Sequence, residues 1–375
     1  MAEPFRAASA PFRLGVEDEV ILVDSLLLEP EHESARVVAG GAWTHGRASA
    51  ELEACVLELI TPVCAHAGEA ADVVASLRAD ARATGVVMLG SGLHPTAAFG
   101  DVRHSPGARY QRVGEEMRSL LCQAAFCGVH VHVGMPDADS AIRACNGLRR
   151  WLPVLVGLAA NSPFRHGSDT GLASARTPLA RALPRSGAPR EFHDYADYEA
   201  TVADICAAGE LGGYTEIWWD VRPHPRLGTV EVRVMDAQTS VRDLAGLAAL
   251  VHGLAVHEAT GGVRPGPSPE ALDESCFRAF RDGRHATIHD GRRMVTLRES
   301  AGRALRCARH ALSAIGADAP LEEAERLIGE GNGADRQRDL FARGGLPALL
   351  NGLVAVTAGE RVPPRRALSG AAERA

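Results

Sequence analysis

The sequence predicts an α+β protein whose functional residues lie on one face of a β-sheet. Four segments from distant parts of the chain alternate apolar and polar residues, which is the pattern of a strand buried on one side only. Other segments repeat apolar residues at helical spacing, and most of the chain after residue 240 is of this kind. We therefore expect one sheet with a polar floor, together with a large helical part.

Residues 228–235 form the clearest of these strands, with the sequence Gly-Thr-Val-Glu-Val-Arg-Val-Met. Successive side chains of a strand point to opposite faces, so Glu231 and Arg233 share one face and the valines share the other. An apolar face opposite an acid–base pair is typical of a sheet whose second face lines a site.

The same alternation recurs three times upstream. It places Glu17 and Glu19 on one face of a strand, and it places His130 and His132 on one face of another. A shorter segment turns Glu58 away from its two leucine neighbours. Because these strands are remote in sequence, their meeting in one sheet would build a single metal-binding floor.

The remaining elements follow from local patterns. Residues 67–85 carry apolar side chains at the spacing of one helix face. Thr61-Pro62 ends the strand around Glu58, because proline cannot donate to the sheet ladder. Predicted strands cover residues 13–24, 51–61, 86–89, 127–134, 214–221 and 228–235, and predicted helices cover residues 67–85, 109–125, 137–160 and 195–210.

The segments between these elements are predicted from composition. Residues 26–50 are rich in small residues and suit hairpins or a surface excursion, whereas residues 161–192 read as one long loop. A loop of this length in a compact domain is usually functional. Residues 261–269 interrupt the helical region with glycines and prolines. We expect a single domain over residues 12–360, with flexible tails at residues 1–11 and 361–375.

Composition and charge exclude several classes of protein. A formal charge of −7 without a basic run argues against nucleic-acid binding. No apolar run approaches the ~20 residues that span a bilayer, and no secretory signal is visible, so we expect no membrane partner. The eight cysteines form no CxxC pair, which favours a reduced, cytoplasmic setting over structural zinc.

The chain contains no lysine, and all 40 of its basic residues are arginine. A standard P-loop, a pyridoxal-phosphate Schiff base and a protein-kinase-like site each require a lysine, so all three are excluded in standard form. Any phosphate that this protein handles must therefore be neutralised by arginine or by a metal ion.

A set of carboxylates suggests a hard divalent cation. Its candidate members are Glu17, Glu19, Glu51, Glu58 and Glu231. Any one of them could be a solvated surface residue, but each lies among apolar neighbours, where an unpaired carboxylate is costly. Carboxylates and imidazole without thiolate suit Mg²⁺ or Mn²⁺.

The histidine pair has two interpretations. His130 and His132 could be a hydrogen-bonded core feature, or one could complete a metal site while the other binds a substrate carboxylate. Gly128 and Gly134 bracket the pair, and glycine in a strand allows a close approach by a ligand.

Three arginines are candidate anion binders, namely Arg176, Arg222 and Arg233. Guanidinium offers a bidentate geometry for phosphate or carboxylate, although Arg233 could simply pair with Glu231. Trp218-Trp219 suits packing better than an adenine platform, and Cys127 suits a core thiol better than a nucleophile. The long loop around Asp169-Thr170-Gly171 could be a lid or a surface turn.

An ordered series of motifs resembles a known family. The motifs are Gly15-Val-Glu-Asp-Glu19, Glu58-Leu-Ile-Thr-Pro62, Cys127-Gly-Val-His-Val-His-Val-Gly134, Ser162-Pro-Phe164, Asp169-Thr-Gly171 with Ser174 and Arg176, Trp218-Trp-Asp-Val-Arg-Pro223 and Gly228-Thr-Val-Glu-Val-Arg233. Together, over roughly residues 12–355, they closely resemble the bacterial carboxylate–amine ligase family, also called glutamate–cysteine ligase type 2.

The resemblance implies a fold and an activity. The fold would be similar to that of glutamine synthetase, a curved and mainly antiparallel sheet that forms a funnel with helices outside. The activity would be ATP-dependent joining of a carboxylate to an amine, with a weak glutamate–cysteine ligase activity within that expectation. The partners would be small-molecule substrates, and the assembly would be a homodimer.

The resemblance also implies roles for residues. Metal ligands would be Glu17, Glu19, Glu51, Glu58, His130 and Glu231. Arg222 and Arg233 would contact phosphate or substrate and act with Glu58 in catalysis, and Arg176 and His132 would help to bind the nucleotide or substrate. The family often has a third glutamate in place of Asp18, which points to the other face of its strand, so we expect little effect from that departure. The family also often has Ser-Gln before Val-Glu, where this chain has Cys55-Val56-Leu57, a difference that bears on substrate choice.

Two other functions are consistent with parts of this pattern. A guanidino-kinase-like phosphotransferase uses a similar sheet and transfers phosphate without forming an amide. A non-catalytic nucleotide- or amino-acid-binding homologue would keep the site without turnover, although the complete acidic set argues against that loss.

Overall fold

A seven-stranded sheet lies at the centre of the computed structural model, which describes residues 3–123, 125–261 and 266–360. The strands are β1 (Leu14–Val23), β2 (Arg47–Ala50), β3 (Val56–Ile60), β4 (Val87–Leu89), β5 (Gly128–Gly134), β6 (Phe164–Arg165), β7 (Ser168–Asp169), β8 (Ser186–Gly187), β9 (Trp218–Trp219), β10 (Val221–His224), β11 (Thr229–Asp236), β12 (Thr287–His289) and β13 (Met294–Thr296). The sheet order is β10-β11-β5-β1-β3-β2, and β4 also pairs with β1. Every pairing in this sheet is antiparallel.

Helices pack around the sheet. They are α1 (Ser34–Gly40), α2 (Ala67–Ala83), α3 (Ala108–Met117), α4 (Ala138–Arg149), α5 (Leu152–Ala159), α6 (Arg176–Arg181), α7 (Tyr195–Gly209), α8 (Val241–Thr260), α9 (Pro269–Asp282), α10 (Leu297–Ser313), α11 (Leu321–Glu330) and α12 (Gly333–Thr357). The valines of β5 and β11 pack with α4, α5 and α8 in the largest apolar cluster. Burial of the face that carries these valines leaves the opposite face of the sheet for polar residues, as the alternation predicts.

Several predicted segments contain elements that the sequence patterns did not resolve. Residues 26–50 contain α1 as well as the strand β2. The long loop at 161–192 contains the β6–β7 hairpin, α6 and β8, so it is not one irregular segment. In the described part of the chain after residue 240, the elements are helices apart from the β12–β13 hairpin. These short elements depend on partners distant in sequence, so local periodicity does not reveal them.

The predicted strand at 214–221 is wrong in its extent. Residues 214–216 form a 3₁₀ turn, β9 pairs with β8 outside the main sheet, and β10 begins only at Val221. The break falls at Asp220, whose backbone N–H donates to the carbonyl of Gly187 while its own carbonyl accepts from Arg233. Asp220 therefore joins two sheets, which no single-strand pattern describes.

The segment before β1 lies along one end of the sheet. The sequence analysis treats residues 1–11 as a flexible tail, but the N–H groups of Arg6 and Ala8 donate to the carbonyls of Pro225 and Met135. The buried imidazole of His252 lies 2.7 Å from the carbonyl oxygen of Phe12. The predicted tail at 361–375 lies outside the described residues.

One helix among the described residues, α12, is long and apolar enough by length and composition to cross a membrane. Its backbone departs from helical geometry at Gly344 and Gly345, and Pro347 follows directly. The straight part after this kink, residues 346–357, spans about 18 Å at 1.5 Å per residue, short of the ~30 Å hydrocarbon core. The expected absence of a membrane partner stays a prediction.

Asp18 points away from the polar face of the sheet, as expected. Its carboxylate is fully buried and accepts from Arg78 Nε at 2.8 Å and Nη2 at 3.1 Å. The same guanidinium donates to the carbonyls of Gln238 and Thr239, which follow β11. This ion pair joins α2, β1 and the end of β11 behind the site.

We predict that Arg78→Met lowers the free energy of unfolding by about 3–5 kcal/mol, because it leaves the buried carboxylate of Asp18 without a counter-charge. Urea unfolding at pH 7 measures the change. The double variant Asp18→Asn/Arg78→Met should recover part of the loss, since both charges are then gone. Wild-type stability in the single variant would contradict a supporting role for this pair.

Candidate active site

Strand register brings carboxylates and a histidine together at the centre of the polar face. Glu19 of β1 lies opposite Glu58 of β3, and Glu17 lies opposite His130 of β5. Paired residues of an antiparallel ladder point to the same face, so these four side chains are neighbours. His130 Nδ1 is 3.0 Å from Glu17 Oε2, and His130 Nε2 is 3.7 Å from Glu19 Oε1.

The next row continues this face towards β10. His132 lies opposite Glu231, and Glu231 lies opposite Arg222. A β-bulge between Val232 and Met235 shifts the register of β11. The Nη1 atom of Arg233 lies 3.4 Å from His130 Nδ1 and also contacts the carboxylate of Glu231.

Two groups of donor atoms are spaced to hold metal ions, and they share Glu17. Glu17, Glu58 and His130 form one group, and Glu17, His132 and Glu231 form the other; within each, the ligand atoms lie within 4.8 Å of one another. Glu58, Glu231 and His130, which the sequence analysis assigned to metal binding, are therefore within reach of common points. His132, which it assigned to ligand binding, lies in a donor group.

An unpartnered nitrogen supports a cation on this face of the sheet. We call the part of the face formed by six side chains the floor; they are Glu17, Glu19, Glu58, His130, His132 and Glu231. His132 Nε2 is buried and has no hydrogen-bond partner in the described part of the chain, although it lies 3.4 Å from Glu17 Oε1 and 3.8 Å from Glu231 Oε1. His132 Nδ1 is held 3.0 Å from the hydroxyl of Thr229, which fixes the ring. A buried nitrogen facing two carboxylate oxygens, with no thiolate among the donors, fits Mg²⁺ or Mn²⁺.

The pKa shifts of several buried carboxyl groups reflect repulsion between closely spaced negative charges. Burial raises the pKa of Glu19, Glu51 and Glu58, and repulsion from neighbouring carboxylates raises each further. Burial also opposes ionisation of Glu17, but the nearby imidazoles outweigh it and lower the pKa of that carboxyl. A divalent cation would relieve this repulsion, because it neutralises several carboxylates at once.

The two histidines differ in charge. Burial, aided by the Arg233 guanidinium, lowers the pKa of His130 to about 4, so its imidazole is neutral at pH 7 and can act as a ligand. Burial likewise disfavours protonated His132, but Glu231 and Glu17 outweigh it and raise the pKa. Metal binding at His132 would therefore release a proton.

Arg222 of β10 supports Glu231 from the neighbouring strand. Its Nε donates to Glu231 Oε2 at 2.8 Å, and its Nη1 donates to the carbonyls of Tyr214 and Ile217. The side chain is buried and these contacts occupy its donors, so in this arrangement it positions Glu231 instead of reaching a phosphate. With Arg233 it outweighs the effect of burial and holds the pKa of Glu231 well below the usual range.

Arg176 is a buried guanidinium at the edge of the floor. Its Nη1 donates to the carbonyl of Val234 at 3.3 Å and lies 3.8 Å from Asp236, while its Nε is buried without a hydrogen-bond partner among the described residues. A Cβ at Gly128 would lie 2.6 Å from Arg176 Nη2. The lack of a side chain at Gly128 therefore makes room for Arg176. From the sequence we expected this glycine to make room for a ligand.

The first part of the long loop is anchored to the strand β11 and the helix α12. Asp236 accepts from the Ser162 and Ser174 hydroxyls at 2.7 and 2.9 Å. Arg338 of α12 donates two bonds to Asp169 at 2.8 and 3.0 Å. Because these bonds tie the segment to both β11 and α12, they favour a fixed segment over a movable lid.

A cavity of about 180 Å³, here called the Trp218 cavity, opens beside Glu19 and His130. Its charged lining includes both signs, with Glu19, Glu51, Glu53 and Asp220 facing Arg109, Arg176, Arg181 and Arg233. The outer side is covered by α3 and the 3₁₀ turn after it, through Tyr110, Val113 and Leu121. Trp218 lines the cavity, whereas Trp219 packs in the core against Phe192.

Glu53 is a cavity carboxylate that the sequence analysis missed. It is buried, and burial together with repulsion from Glu51 raises its pKa to about 8. The alternation of Glu51 and Glu53 around Leu52 was the available signal. Cys127, by contrast, is fully buried in an apolar cluster, as the core-thiol interpretation predicted.

A second cavity of about 280 Å³, here called the Arg47 cavity, lies at the other end of the floor. Glu17 and His132 line it together with Arg13, Arg47 and Thr229. Both arginines are exposed, and neither has an ion pair with another described residue. The sequence analysis did not single them out, because nothing in their local pattern distinguishes them from surface arginines.

Comparison with known proteins gives concordant results. A family model described as glutamate–cysteine ligase family 2 matches residues 13–360. A relative from Rubrobacter xylanophilus, provisionally named glutamate–cysteine ligase 2-3, is 38% identical over 364 residues, which cover 94% of this chain and 98% of that protein. A relative from Sorangium cellulosum, provisionally named glutamate–cysteine ligase 2, is 32% identical over 88% of this chain and 92% of its own length.

Solved structures share the fold at low sequence identity. The glutamate–cysteine ligase of Francisella tularensis in complex with AMP aligns with a TM-score of 0.70 at 13% identity, covering 96% of this chain and 91% of that one. The ligase PafA in complex with the ubiquitin-like protein Pup aligns with a TM-score of 0.51 at 11% identity, covering 92% and 78%. The predicted α+β fold with a mainly antiparallel sheet is confirmed.

We predict that, without divalent cations, the free energy of unfolding falls as pH rises from about 5 to about 8. Over this range folded Glu53 keeps a proton that the unfolded chain has lost, so raising the pH removes stability, by up to about 1.4 kcal/mol per pH unit for one group. Urea unfolding in chelator at several pH values measures the slope. Glu53→Gln should reduce the slope by the share of one group, because the raised pKa values of Glu19 and Glu58 remain, and an unchanged slope would contradict the assignment.

Proposed function

The chain belongs to glutamate–cysteine ligase family 2, and from this premise we propose that it is an ATP-dependent carboxylate–amine ligase that forms an amide through an acyl phosphate. One observation carries the proposal: two donor groups sharing Glu17 lie on a buried sheet face, between two cavities of different chemistry. A floor that holds cations between two ligand spaces suits phosphoryl transfer from one ligand to the other.

The charges of the cavities support a division of substrates. In the Arg47 cavity, Arg13 and Arg47 have no ion pair with a described residue, which suits a polyanionic triphosphate. The Trp218 cavity has carboxylates and guanidinium groups in similar number, which suits substrates that carry both a carboxylate and an amine. We therefore assign ATP to the former and the two substrates to the latter.

The crowding of buried carboxylates supports the assignment of cations to the floor. Mg²⁺ or Mn²⁺ held by Glu17, Glu58, His130, His132 and Glu231 would neutralise phosphate oxygens and orient the γ-phosphate. Glu19 and Glu51 extend this acidic set towards the Trp218 cavity. Because the chain has no lysine, arginine is the basic residue that can neutralise the remaining charge of the phosphates.

Arg233 and Arg176 are placed to orient the substrate carboxylate. Both line the Trp218 cavity beside the floor, and Arg176 has an unpartnered buried Nε. Attack of the carboxylate on the γ-phosphate gives an acyl phosphate and ADP. Held in position, two guanidinium groups would stabilise the charge that develops on the transferred phosphoryl oxygens.

The acyl phosphate must meet an amine before it meets water. The helix α3 and the turn that follows it cover the outer side of the Trp218 cavity, and α3 is tied down by Tyr110 Oη donating to the Ala50 carbonyl at 2.9 Å and by an Arg112–Glu216 ion pair at 3.1 Å. We therefore assign the exclusion of water to α3, where the sequence analysis assigned it to the loop at 161–192. Attack by the amine releases phosphate and leaves the amide.

The guanidino-kinase alternative is separated by the dependence of ADP release on an acceptor. A ligase with glutamate as the test carboxylate should release ADP and inorganic phosphate together only when an amine such as cysteine is added, and mass spectrometry should find the amide. ADP release with phosphate transferred to a guanidino compound would support the kinase. ATP binding without turnover under any condition would support the non-catalytic alternative.

A homodimer in the cytoplasm stays a prediction. Seven cysteines are free thiols, which is consistent with a reducing setting; they are Cys55, Cys64, Cys127, Cys145, Cys206, Cys276 and Cys307. Sedimentation of the purified protein tests the dimer directly.

We predict that Glu58→Gln and Glu231→Gln each lower kcat by on the order of 10²–10³-fold, the scale for losing one group that stabilises the transition state. Their stabilities should differ. Glu58→Gln removes a repelled carboxylate and should leave Tm unchanged or higher, whereas Glu231→Gln leaves Arg222 and Arg233 without their counter-charge and should lower Tm.

The matched control for these variants is Glu330→Gln, whose side chain is 70% exposed on α11. It should have wild-type kcat and Tm. Near-normal turnover in both floor variants would contradict the assignment of these carboxylates to the metal floor.

A further inference from the structure

The Trp218 cavity has two chemically different ends. Its inner end is charged and lies on the sheet beside Glu19 and Arg233. Its outer end is apolar and includes Val113, Leu183 and Trp218. The proposed function accounts for the charged end but leaves the apolar end without a role.

The apolar end is a preformed surface. Val113 and Leu183 belong to one apolar cluster together with Leu52, Met117, Leu121 and Trp218. The guanidinium of Arg185 lies 5.3 Å from the centroid of the Trp218 ring, and the backbone N–H of Trp218 donates to the backbone carbonyl of Arg185 at 2.9 Å. These contacts hold the ring in place, so the apolar wall exists before a ligand arrives.

The order of the reaction decides which substrate meets this wall. The carboxylate must lie at the inner end, because it attacks a phosphate held at the metal floor. The amine attacks the acyl phosphate from the side away from the floor, where Val113 and Trp218 line the cavity. Groups attached to the amine therefore face the apolar wall.

We propose that the amine substrate carries an apolar side chain at least as large as that of leucine, which packs against Val113, Leu183 and Trp218. The inference rests on the proposed ligase function and names the substrate class of its second step. Serine and cysteine would leave most of this wall uncovered, and each methylene that leaves water for an apolar surface favours binding.

Binding of the amine tests the inference without knowledge of the carboxylate. Leucine, serine and cysteine are titrated calorimetrically into the protein with Mg²⁺ and a non-hydrolysable ATP analogue. Leucine should bind at least about 10-fold more tightly than serine or cysteine, the scale for one or two methylenes in an apolar pocket. Equal affinities, or tighter binding of serine or cysteine, would overturn the inference.

Two variants separate direct contact from helix packing. Val113→Thr keeps the shape of a residue that lines the cavity but adds a hydroxyl, and it should reduce the preference for leucine over serine by about 10-fold. Met117→Ala weakens the same apolar cluster at a position that does not line the cavity, and it should keep the wild-type preference. A loss of preference in Met117→Ala equal to that in Val113→Thr would also overturn the inference.

A turnover measurement distinguishes this failure from failure of the proposed function. ADP release is followed with glutamate and each of the three amines. Turnover that is as efficient with serine as with leucine overturns the inference and leaves the ligase intact. Absence of amine-dependent ADP release with every amine would contradict a ligase that acts on glutamate, whatever the binding measurement shows.

Discussion

Mutual repulsion of carboxylates on a buried sheet face is the constraint on which this structure depends. Glu17, Glu19 and Glu58 lie in neighbouring positions of two adjacent strands. Burial and like charge oppose the ionisation of Glu19 and Glu58, and only the nearby imidazoles keep the pKa of Glu17 low. Such an arrangement costs stability unless positive charge lies close by. In the protein itself, imidazoles and guanidinium groups provide part of that charge, and divalent cations are the natural remainder.

Arginine organises the surroundings of this floor. Arg78 holds Asp18 behind β1, and Arg222 holds Glu231 from the side of β10. In this arrangement these guanidinium groups bond to carboxylates and carbonyls, so they fix the rows of the sheet. Arg13 and Arg47 have no ion pair with a described residue, and Arg176 Nε has no hydrogen-bond partner among those residues; all three lie where a ligand would meet them. A chain without lysine thus uses one residue type for both support and recognition.

The two cavities give this arrangement a direction. One holds unpaired arginines next to Glu17 and His132, and the other combines both signs of charge with an apolar outer wall. Phosphate, carboxylate and amine can therefore be ordered along one face, from the Arg47 end to the Trp218 end. The helix α3 covers the second cavity through Tyr110 and Val113, while residues of α6 such as Arg176 and Thr177 line its side. Function follows from this order as much as from any one residue.

The sequence by itself determined which side chains share a face, because alternation along a strand is local: Glu17 with Glu19, His130 with His132, and Glu231 with Arg233. It also indicated the family and the long helices. Only the tertiary structure decided the rows across strands, the bulge that places Arg233 beside His130, and the pairing of Arg222 with Glu231. These features depend on the register between strands that are remote in sequence. Long-range packing sets that register, and no local sequence pattern encodes it.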